Sequence, residues 1–264
     1  MSRLAVIGAG AMGEALIAGW LASGIPSSDV VIVDAHEPRV REIEERHGVT
    51  GVSLDEAAQA DTVVLAVKPH QVDGILRAAA DSLGESSLVV SIAAGVTLAQ
   101  LQGAAPGRAV VRVMPNTPAL VGKGMAGIVR GERATDEHVA RVRGLMGAVG
   151  KAVVIDEGHL DALTALSGSG PAYVFYVAEA MIEGGVHQGL TRAEATELVT
   201  QTLVGSAAML AETGKSATQL REMVTSPAGT TAAALRALDD HGVRAAFLDA
   251  IEACRNRGLE MGKG

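Results

Sequence analysis

Three glycines near the N-terminus constrain the fold of this chain more than any other feature. Gly8, Gly10 and Gly13 have the spacing G-x-G-x-x-G, between an apolar run at residues 3–8 and an amphipathic stretch. Strand, glycine turn and helix in this order are the setting in which the pattern binds a dinucleotide. The first glycine makes the turn, the second admits the pyrophosphate, and the third lets the helix pack on the sheet. An ordinary strand–helix turn is the alternative interpretation.

Short apolar runs alternate with amphipathic stretches over residues 3–155. The runs are rich in Val, Ile, Ala and Leu and show almost no polar alternation, which is typical of strands buried on both faces of a mostly parallel sheet. The alternation predicts an α/β fold with a Rossmann-type doubly wound sheet. Strands are predicted at 3–8, 30–33, 62–67, 88–92, 109–113, 125–130 and 152–155, and helices at 12–23, 38–47, 70–80, 97–102 and 135–148.

The remainder of the chain is predicted to be helical. Thr191 and Glu194 have the spacing of a capping box, which marks the start of one helix. Many positions in the first two helices are small or apolar, which indicates helices that bury two faces at a subunit interface. We therefore predict a dinucleotide-binding Rossmann domain at 1–158 and an all-α dimerisation and substrate domain at 159–264. The predicted helices are 171–187, 192–213, 216–224, 230–241 and 244–261.

The candidate nucleotide ligands lie at the predicted carboxyl ends of the strands, where doubly wound sheets bind ligands. Asp34 ends the second strand, where a carboxylate binds the adenosine ribose and repels a 2′-phosphate, and this indicates NADH. Arg39 and Arg41 follow closely and suit a 2′-phosphate, so NADPH also stays open. The cofactor-binding candidates are Gly8, Ala9, Gly10, Ala11, Met12, Gly13, Asp34, Ala66, Val67, Lys68, Pro69, Ala93, Ala94, Gly95 and Asn116.

Three of these candidates also have a structural interpretation that involves no ligand. Asp34 is also interpretable as a turn or cap acid before Pro38. Lys68 has the alternative of an ordinary solvated lysine. Asn116 lies in a loop that two prolines stiffen, and it is also interpretable as part of a structural turn.

Four hydroxyl side chains lie within residues 225–231, around the start of the helix that is predicted at 230–241. They belong to Thr225, Ser226, Thr230 and Thr231. A helix N-cap needs only one hydroxyl, and an N-cap is the alternative interpretation of this cluster. The additional hydroxyls, next to the free N–H groups of a helix N-terminus, indicate a site for a small carboxylate.

Composition argues against several other classes of protein. The formal net charge of −8 argues against a nucleic-acid partner. The single cysteine, Cys254, excludes an intrachain disulfide and fits a reducing, cytoplasmic location. We see no signal-peptide pattern and no apolar run long enough for a membrane span, so we expect no membrane association. Glu183 and His187 are spaced i, i+4 without further ligands, so we predict no metal site.

Five further motifs follow the glycine loop: AVKP at 66–69, SIAAG at 91–95, MPNTP at 114–118, SGSGPAY at 167–173 and TSPAGTT at 225–231. Taken together, these motifs resemble the pyrroline-5-carboxylate reductase family, over residues 3–260. The family implies reduction of L-1-pyrroline-5-carboxylate to L-proline by hydride transfer from NADPH or NADH, which is the last step of proline biosynthesis. It also implies a homodimer, with five dimers joined as a decamer in several members.

By motif position, the resemblance also assigns roles in the 225–231 segment. Ser226 and the backbone of Gly229 and Thr230 would hold the substrate carboxylate, and Thr231 would bond the ring nitrogen as the catalytic residue. Ala228 stands where the family often has glycine, and we expect the position to tolerate alanine. Asp34 also departs from the family, in which many members carry a small polar residue there.

Two other functions remain as alternatives. A β-hydroxyacid-dehydrogenase-like oxidoreductase would share the N-terminal half, but that class relies on a lysine in its helical domain, and Lys215 lies in no convincing motif. A non-catalytic NAD(P)H-sensing module would share the nucleotide-binding fold but would not need the hydroxyl cluster. Because function is argued from sites and not from folds, this cluster disfavours the sensing module.

Overall fold

The computed structural model describes residues 3–261. The chain divides into two compact units: one comprises the residues through Ser169 together with those from Cys254 onward, and the other is Gly170–Ala253. The predicted division after residue 158 lies between the last strand and the all-helical remainder of the chain. The compact units divide later because the segment after residue 158 joins the core of the first unit, where Leu160 is buried.

Within residues 3–261, the first unit contains one sheet of eight strands. They are β1 (Leu4–Ile7), β2 (Val30–Val33), β3 (Thr50–Gly51), β4 (Thr62–Leu65), β5 (Leu88–Ser91), β6 (Ala109–Met114), β7 (Gly124–Arg130) and β8 (Gly150–Val154). Their order across the sheet is β3-β2-β1-β4-β5-β6-β7-β8. Neighbouring strands are parallel except β6 and β7, which are antiparallel. This confirms the doubly wound fold, whose binding crevice lies where the strand order reverses, between β1 and β4.

Helices connect the strands of the first unit and make up the second unit. Those of the first unit are α1 (Ala11–Ala22), α2 (Glu37–His47), α3 (Leu54–Ala58), α4 (Pro69–Ala78), α5 (Leu98–Ala104), α6 (Asp136–Gly147) and α7 (Leu160–Leu163), followed by a π-helical turn at Thr164–Gly168. The remaining helices are α8 (Gly170–His187), α9 (Arg192–Glu212), α10 (Ala217–Met223), α11 (Thr230–Asp240) and α12 (Val243–Met261). The all-helical C-terminal part is therefore confirmed.

Two buried apolar clusters cover the two faces of the sheet. Successive residues of β1 belong to opposite clusters, Val6 to one and Ala5 and Ile7 to the other, because side chains alternate along a strand. Trp20 on α1 is fully buried, and its indole Nε1 donates a hydrogen bond to Leu145 O at 2.9 Å. The packing explains why the strand sequences are apolar without alternation.

Several short elements of the structure were absent from the sequence prediction, among them β3, α3 and the π-helical turn. The strand β3 has two residues and α3 has five, so neither gives a recognisable period. The π-helical turn also has five residues. The capping box is confirmed: Thr191 Oγ1 accepts from Glu194 N at 3.2 Å, and Glu194 Oε2 accepts from Thr191 N at 2.8 Å.

The second unit exposes large apolar side chains. Phe175 and Tyr176 on α8 and Leu248 on α12 are 66, 75 and 70% exposed. Exposed apolar surface of this kind is typical of an interaction face. None of the helices in the described part of the chain combines the length and hydropathy needed to cross a bilayer.

Candidate functional site

The loop between β1 and α1 needs each of its three glycines for a different reason. Gly8 has a φ of +101°, and a Cβ there would lie 2.5 Å from Ala66 O on the loop after β4. A Cβ at Gly13 would collide with Gly8 O. A Cβ at Gly10 would meet no atom within 4 Å, so this glycine borders open space. The tight turn, the open approach and the close helix contact match the loop that binds a pyrophosphate.

The start of α1 offers hydrogen-bond donors to an anion at the same place. Its N-cap is Gly10, and no side chain caps the helix. The N–H groups of Ala11, Met12 and Gly13 are in the first turn, where a helix has no acceptors of its own. The helix dipole adds partial positive charge there. The residues of this loop therefore fit the pyrophosphate of a dinucleotide.

The peptide groups of Ala9, inside the glycine loop, are held by two charged side chains. Ala9 N donates to Asp34 Oδ2 at 2.8 Å, and Arg39 Nε donates to Ala9 O at 2.7 Å. The second oxygen of Asp34 accepts from His36 N at 2.9 Å. Asp34 therefore orders the loop and the turn after β2, and each carboxylate oxygen still has a lone pair for a ribose hydroxyl.

A cluster of charged side chains lies beside this loop. Glu14 on α1 accepts hydrogen bonds from Arg39 and Arg46, and His47 Nε2 lies 3.0 Å from Glu14 Oε1. Arg39 also donates to Glu42 at 2.7 Å. Sequence analysis did not identify Glu14 or Glu42, although Glu14 directly follows the last glycine. Its partners come from α2, and only the packing of the two helices brings them together.

The electrostatic state of Glu14 follows from these contacts. Burial by itself raises the pKa of the Glu14 carboxyl. The hydrogen bonds from its three basic neighbours outweigh burial and lower that pKa from 4.5 to about 2. Glu14 is therefore a carboxylate at neutral pH, and Arg39 beside it has a raised pKa because of its hydrogen bonds to Glu42 and Glu14.

The candidates after β4 and β5 lie along the same edge of the sheet. Ala66 N donates to Ile7 O at 2.8 Å, which joins this loop to the end of β1. Lys68 is exposed as the N-cap of α4, and its N–H donates to Gln71 Oε1 at 3.1 Å. Val67 is half-buried and Pro69 is the first residue of α4. Contacts between this segment and a nucleotide remain a prediction.

The loop after β5 combines a buried and an exposed alanine. Ala93 is buried and its N–H donates to Ser91 Oγ at 3.3 Å, whereas Ala94 is exposed. Gly95 has a φ of +79°, a conformation that favours glycine. The small residues leave the carboxyl end of β5 uncovered by bulky side chains.

Asn116 joins three parts of the first unit. Its Nδ2 donates to Ser167 O at 3.0 Å, in the π-helical turn, and its Oδ1 accepts from Met125 N at 2.8 Å, in β7. These bonds support the structural interpretation of this residue. A nucleotide contact of Asn116 stays a prediction.

The structure contradicts the N-cap interpretation of the hydroxyl cluster. The N-cap of α11 is Gly229, and no side chain caps the helix. Thr225 Oγ1 instead donates to Arg221 O at 2.6 Å, at the end of α10. Within residues 3–261 no hydrogen bond occupies the hydroxyls of Ser226, Thr230 and Thr231, so all three are available to a ligand.

A tight turn leads into α11. Gly229 N donates to Ser226 O at 3.0 Å, so that Pro227 and Ala228 are the central residues of the turn. The Gly229 N–H is thus already engaged, whereas the Thr230 N–H belongs to the first turn of α11, which has no acceptors of its own. A Cβ at Gly229 would collide with Ser226 Oγ, which explains the glycine.

Ala228 is strained in this turn. Its φ is +57°, and among the described residues it is the one non-glycine with a positive φ. A left-handed conformation costs about 1–2 kcal/mol for an ordinary residue. We expected the position to tolerate alanine, and the structure shows that the tolerance has a cost.

No cluster of three or more metal-ligating side chains (His, Cys, Asp or Glu) occurs in the described part of the chain.

Comparisons with known proteins cover the whole chain. A family model described as "Pyrroline-5-carboxylate reductase dimerisation" matches residues 157–261, and one described as "NADP oxidoreductase coenzyme F420-dependent" matches residues 3–95. The pyrroline-5-carboxylate reductase of Corynebacterium melassecola is 42% identical over 100% of both chains.

Solved structures of the same kind are also similar. A pyrroline-5-carboxylate reductase from Coxiella burnetii has a TM-score of 0.96 and 35% identity, over 100% of this chain and 99% of that chain. The enzyme of Plasmodium falciparum with NADP bound has a TM-score of 0.87 and 30% identity, over 99% of this chain and 98% of that chain.

We predict that stability falls in acid because of Glu14. Its folded-state pKa is lower than its unfolded value of 4.5, so its contribution is complete above pH 4.5 and is lost as the pH falls towards about 2. The loss should be about 1–3 kcal/mol at 1.36 kcal/mol per pKa unit. Urea unfolding between pH 2 and 6 would measure it, with Glu14→Gln as the control. Parallel pH profiles of the two proteins would contradict the prediction.

We predict that Ala228→Gly stabilises the protein by about 0.5–1 kcal/mol, because glycine relieves the left-handed strain at a small entropic cost. Denaturant midpoints at one protein concentration would measure the gain. Ala228→Val serves as the matched control and should destabilise, since a β-branched residue fits this conformation poorly. A destabilised glycine variant would show that the turn is not strained.

Proposed function

The chain belongs to the pyrroline-5-carboxylate reductase family, and from that premise we propose how its residues bind the two reactants. It is an NAD(P)H-dependent oxidoreductase that reduces L-1-pyrroline-5-carboxylate to L-proline, the final step of proline biosynthesis. The observation that carries this conclusion is 42% identity over the full length. The full-length match favours this reaction over the dehydrogenase-like and sensing alternatives.

On the nucleotide side, we propose that the loop from Gly8 to Gly13 binds the pyrophosphate through the N–H groups at the start of α1. The Gly10 backbone borders the open space that the phosphates need. We assign the adenosine ribose to Asp34, and the rest of the dinucleotide to the carboxyl ends of β4 and β5. The bound nicotinamide supplies the hydride.

Which nicotinamide cofactor the enzyme prefers follows, in this proposal, from Asp34. A carboxylate at this position accepts hydrogen bonds from ribose hydroxyls and repels a 2′-phosphate. Its two hydrogen bonds to Ala9 N and His36 N hold it in place. We therefore propose that NADH is the preferred cofactor and NADPH the weaker one.

On the substrate side, we propose that the loop before α11 binds the substrate carboxylate. The hydroxyl of Ser226 and the N–H groups at Gly229 and Thr230 are the donors, and the helix N-terminus favours the negative charge. Because Gly229 N already donates to Ser226 O, we expect Thr230 N and Ser226 Oγ to contribute more.

Thr231 is the proposed catalytic residue. A cyclic imine accepts hydride best in its protonated form, and the Thr231 hydroxyl can accept a hydrogen bond from the protonated ring nitrogen. A hydroxyl is a poor acid, so in this proposal Thr231 orients the ring nitrogen and the proton arrives with the substrate or from water. Thr231 is half-buried in the first turn of α11.

The assembly follows from the second unit. The chain carries the dimerisation domain of its family, and the exposed apolar side chains of α8 and α12 support burial between subunits. We propose a homodimer, and a decamer of five dimers by resemblance to other family members. A cytoplasmic location is part of the proposal, supported by the single cysteine.

Steady-state kinetics with pyrroline-5-carboxylate and each nucleotide test the cofactor proposal. We predict a higher kcat/KM with NADH than with NADPH, and a rise of about tenfold in the NADPH/NADH ratio for Asp34→Ser, or about 1.4 kcal/mol. Asp34→Asn is the isosteric control that removes the charge together with one of the two acceptor oxygens, and it should move the ratio in the same direction. A ratio that does not move in either variant rules out Asp34 as the ribose ligand.

Replacing the Thr231 hydroxyl tests the substrate side. We predict that Thr231→Ala lowers kcat by about tenfold or more with a smaller effect on KM, because the ring nitrogen is then no longer oriented for hydride transfer. Thr231→Ser keeps the hydroxyl and should retain most of the activity. Equal kcat values for Thr231→Ala and the unmodified protein would remove Thr231 from the mechanism.

A further inference from the structure

We propose that Arg39 positions the pyrophosphate loop and that Glu14 locks it in this role, so that Arg39 is not a ligand for a 2′-phosphate. The inference rests on the proposed use of the Gly8–Gly13 loop for NAD(P)H. The sequence alone does not decide the role of Arg39, since an arginine shortly after Asp34 also suits a 2′-phosphate.

The contacts of the Arg39 guanidinium carry the first step. Nε donates to Ala9 O at 2.7 Å, Nη1 donates to Glu42 at 2.7 Å, and Nη2 donates to Glu14. Each of the three nitrogens therefore already has an oxygen partner. One N–H on Nη1 and one on Nη2 are left over, and a phosphate that bound them would lie beside the carboxylates of Glu42 and Glu14, which repel it.

The charge of Arg39 is balanced by neighbouring carboxylates. Glu14 and Glu42 together bind Arg39 and Arg46, so two carboxylates face two guanidinium groups. The Glu14–Arg39 pair is largely shielded from water, with exposed fractions of 19 and 21%. Shielded pairs are screened less than surface pairs. The positive charge of Arg39 is thus largely neutralised before any nucleotide arrives.

Arg41, two residues further along α2, shows the contrast. Its pair with Glu37 has a distance of 3.3 Å, and the two side chains are 72 and 83% exposed. An exposed pair of this kind contributes little and opens easily. Of Arg39 and Arg41, Arg41 is therefore the residue whose guanidinium is available to a 2′-phosphate.

The consequence for the loop is the third step. Ala9 lies between Gly8 and Gly10, and its N–H and C=O are held by Asp34 and Arg39. These two bonds hold the Gly8–Ala9 and Ala9–Gly10 peptide groups, and the orientation of these groups sets the direction in which the chain enters α1. A loop that is already ordered binds the pyrophosphate with a smaller loss of conformational entropy. Arg39 should therefore affect NADH and NADPH equally, because both carry the same pyrophosphate.

Titration calorimetry of NADH and NADPH, at one pH and salt concentration, tests the inference through affinity and not through turnover. We expect Arg39→Gln to weaken both nucleotides by about tenfold, with the ratio of their Kd values unchanged within about twofold. Arg39→Lys keeps a donor for Ala9 O and a charge for Glu14, and it should recover a large part of the loss. The matched control is Arg41→Gln, which removes the same charge from the same helix and should leave NADH affinity unchanged.

Glu14→Gln is the second variant. It removes the charge that holds Arg39, so we expect NADPH affinity to improve about threefold or more relative to NADH. A merely structural role of Arg39 and Glu14 would lower stability but would not move this ratio.

Two results would overturn the inference. Arg39→Gln that weakens only NADPH would make Arg39 a 2′-phosphate ligand, and Arg39→Gln with unchanged affinity for both nucleotides would give it no role in binding. In either case unmodified protein that binds nucleotide leaves the proposed function intact. Unmodified protein that binds neither nucleotide would overturn the proposed site as well.

Discussion

The close approach of the glycine loop to the end of β4 is the constraint on which the site depends. Gly8 turns the chain with a φ of +101° so near Ala66 O that no Cβ fits between them. This contact brings the start of α1 to the place where the strand order of the sheet reverses, which is where doubly wound folds bind ligands. The nucleotide site thus begins with backbone geometry and not with a side chain.

Charged side chains then hold this backbone in one conformation. Asp34 and Arg39 contact the two sides of the Ala9 peptide, and Glu14 holds Arg39. In the proposed nucleotide complex the same residues influence which cofactor fits, because we assign the Asp34 carboxylate to the ribose and the nearest guanidinium, that of Arg39, is already engaged. The proposal thus links order in the loop to selectivity at the adenosine end through the same hydrogen bonds.

Much of the fold could be predicted from local sequence. Buried parallel strands have continuous apolar runs, and the capping box at Thr191 marks a helix start by its own spacing. The two-residue strand β3 and the π-helical turn at Thr164–Gly168 could not be predicted, because such short elements have no period. A different limit applies to Asn116, because its partners Met125 and Ser167 lie 9 and 51 residues away along the chain and only the fold brings them together.

The sequence by itself determined the glycine turn, the order of strands and helices, and the hydroxyl-rich loop before α11, because each depends on neighbouring residues. Only the tertiary structure decided which partners the polar and charged side chains find. Arg39 is engaged because α1 brings Glu14 beside it, and Asn116 joins β7 to the π-helical turn because the fold brings Met125 and Ser167 to its amide. Such roles depend on distances between groups, and those distances exist only once the chain has folded.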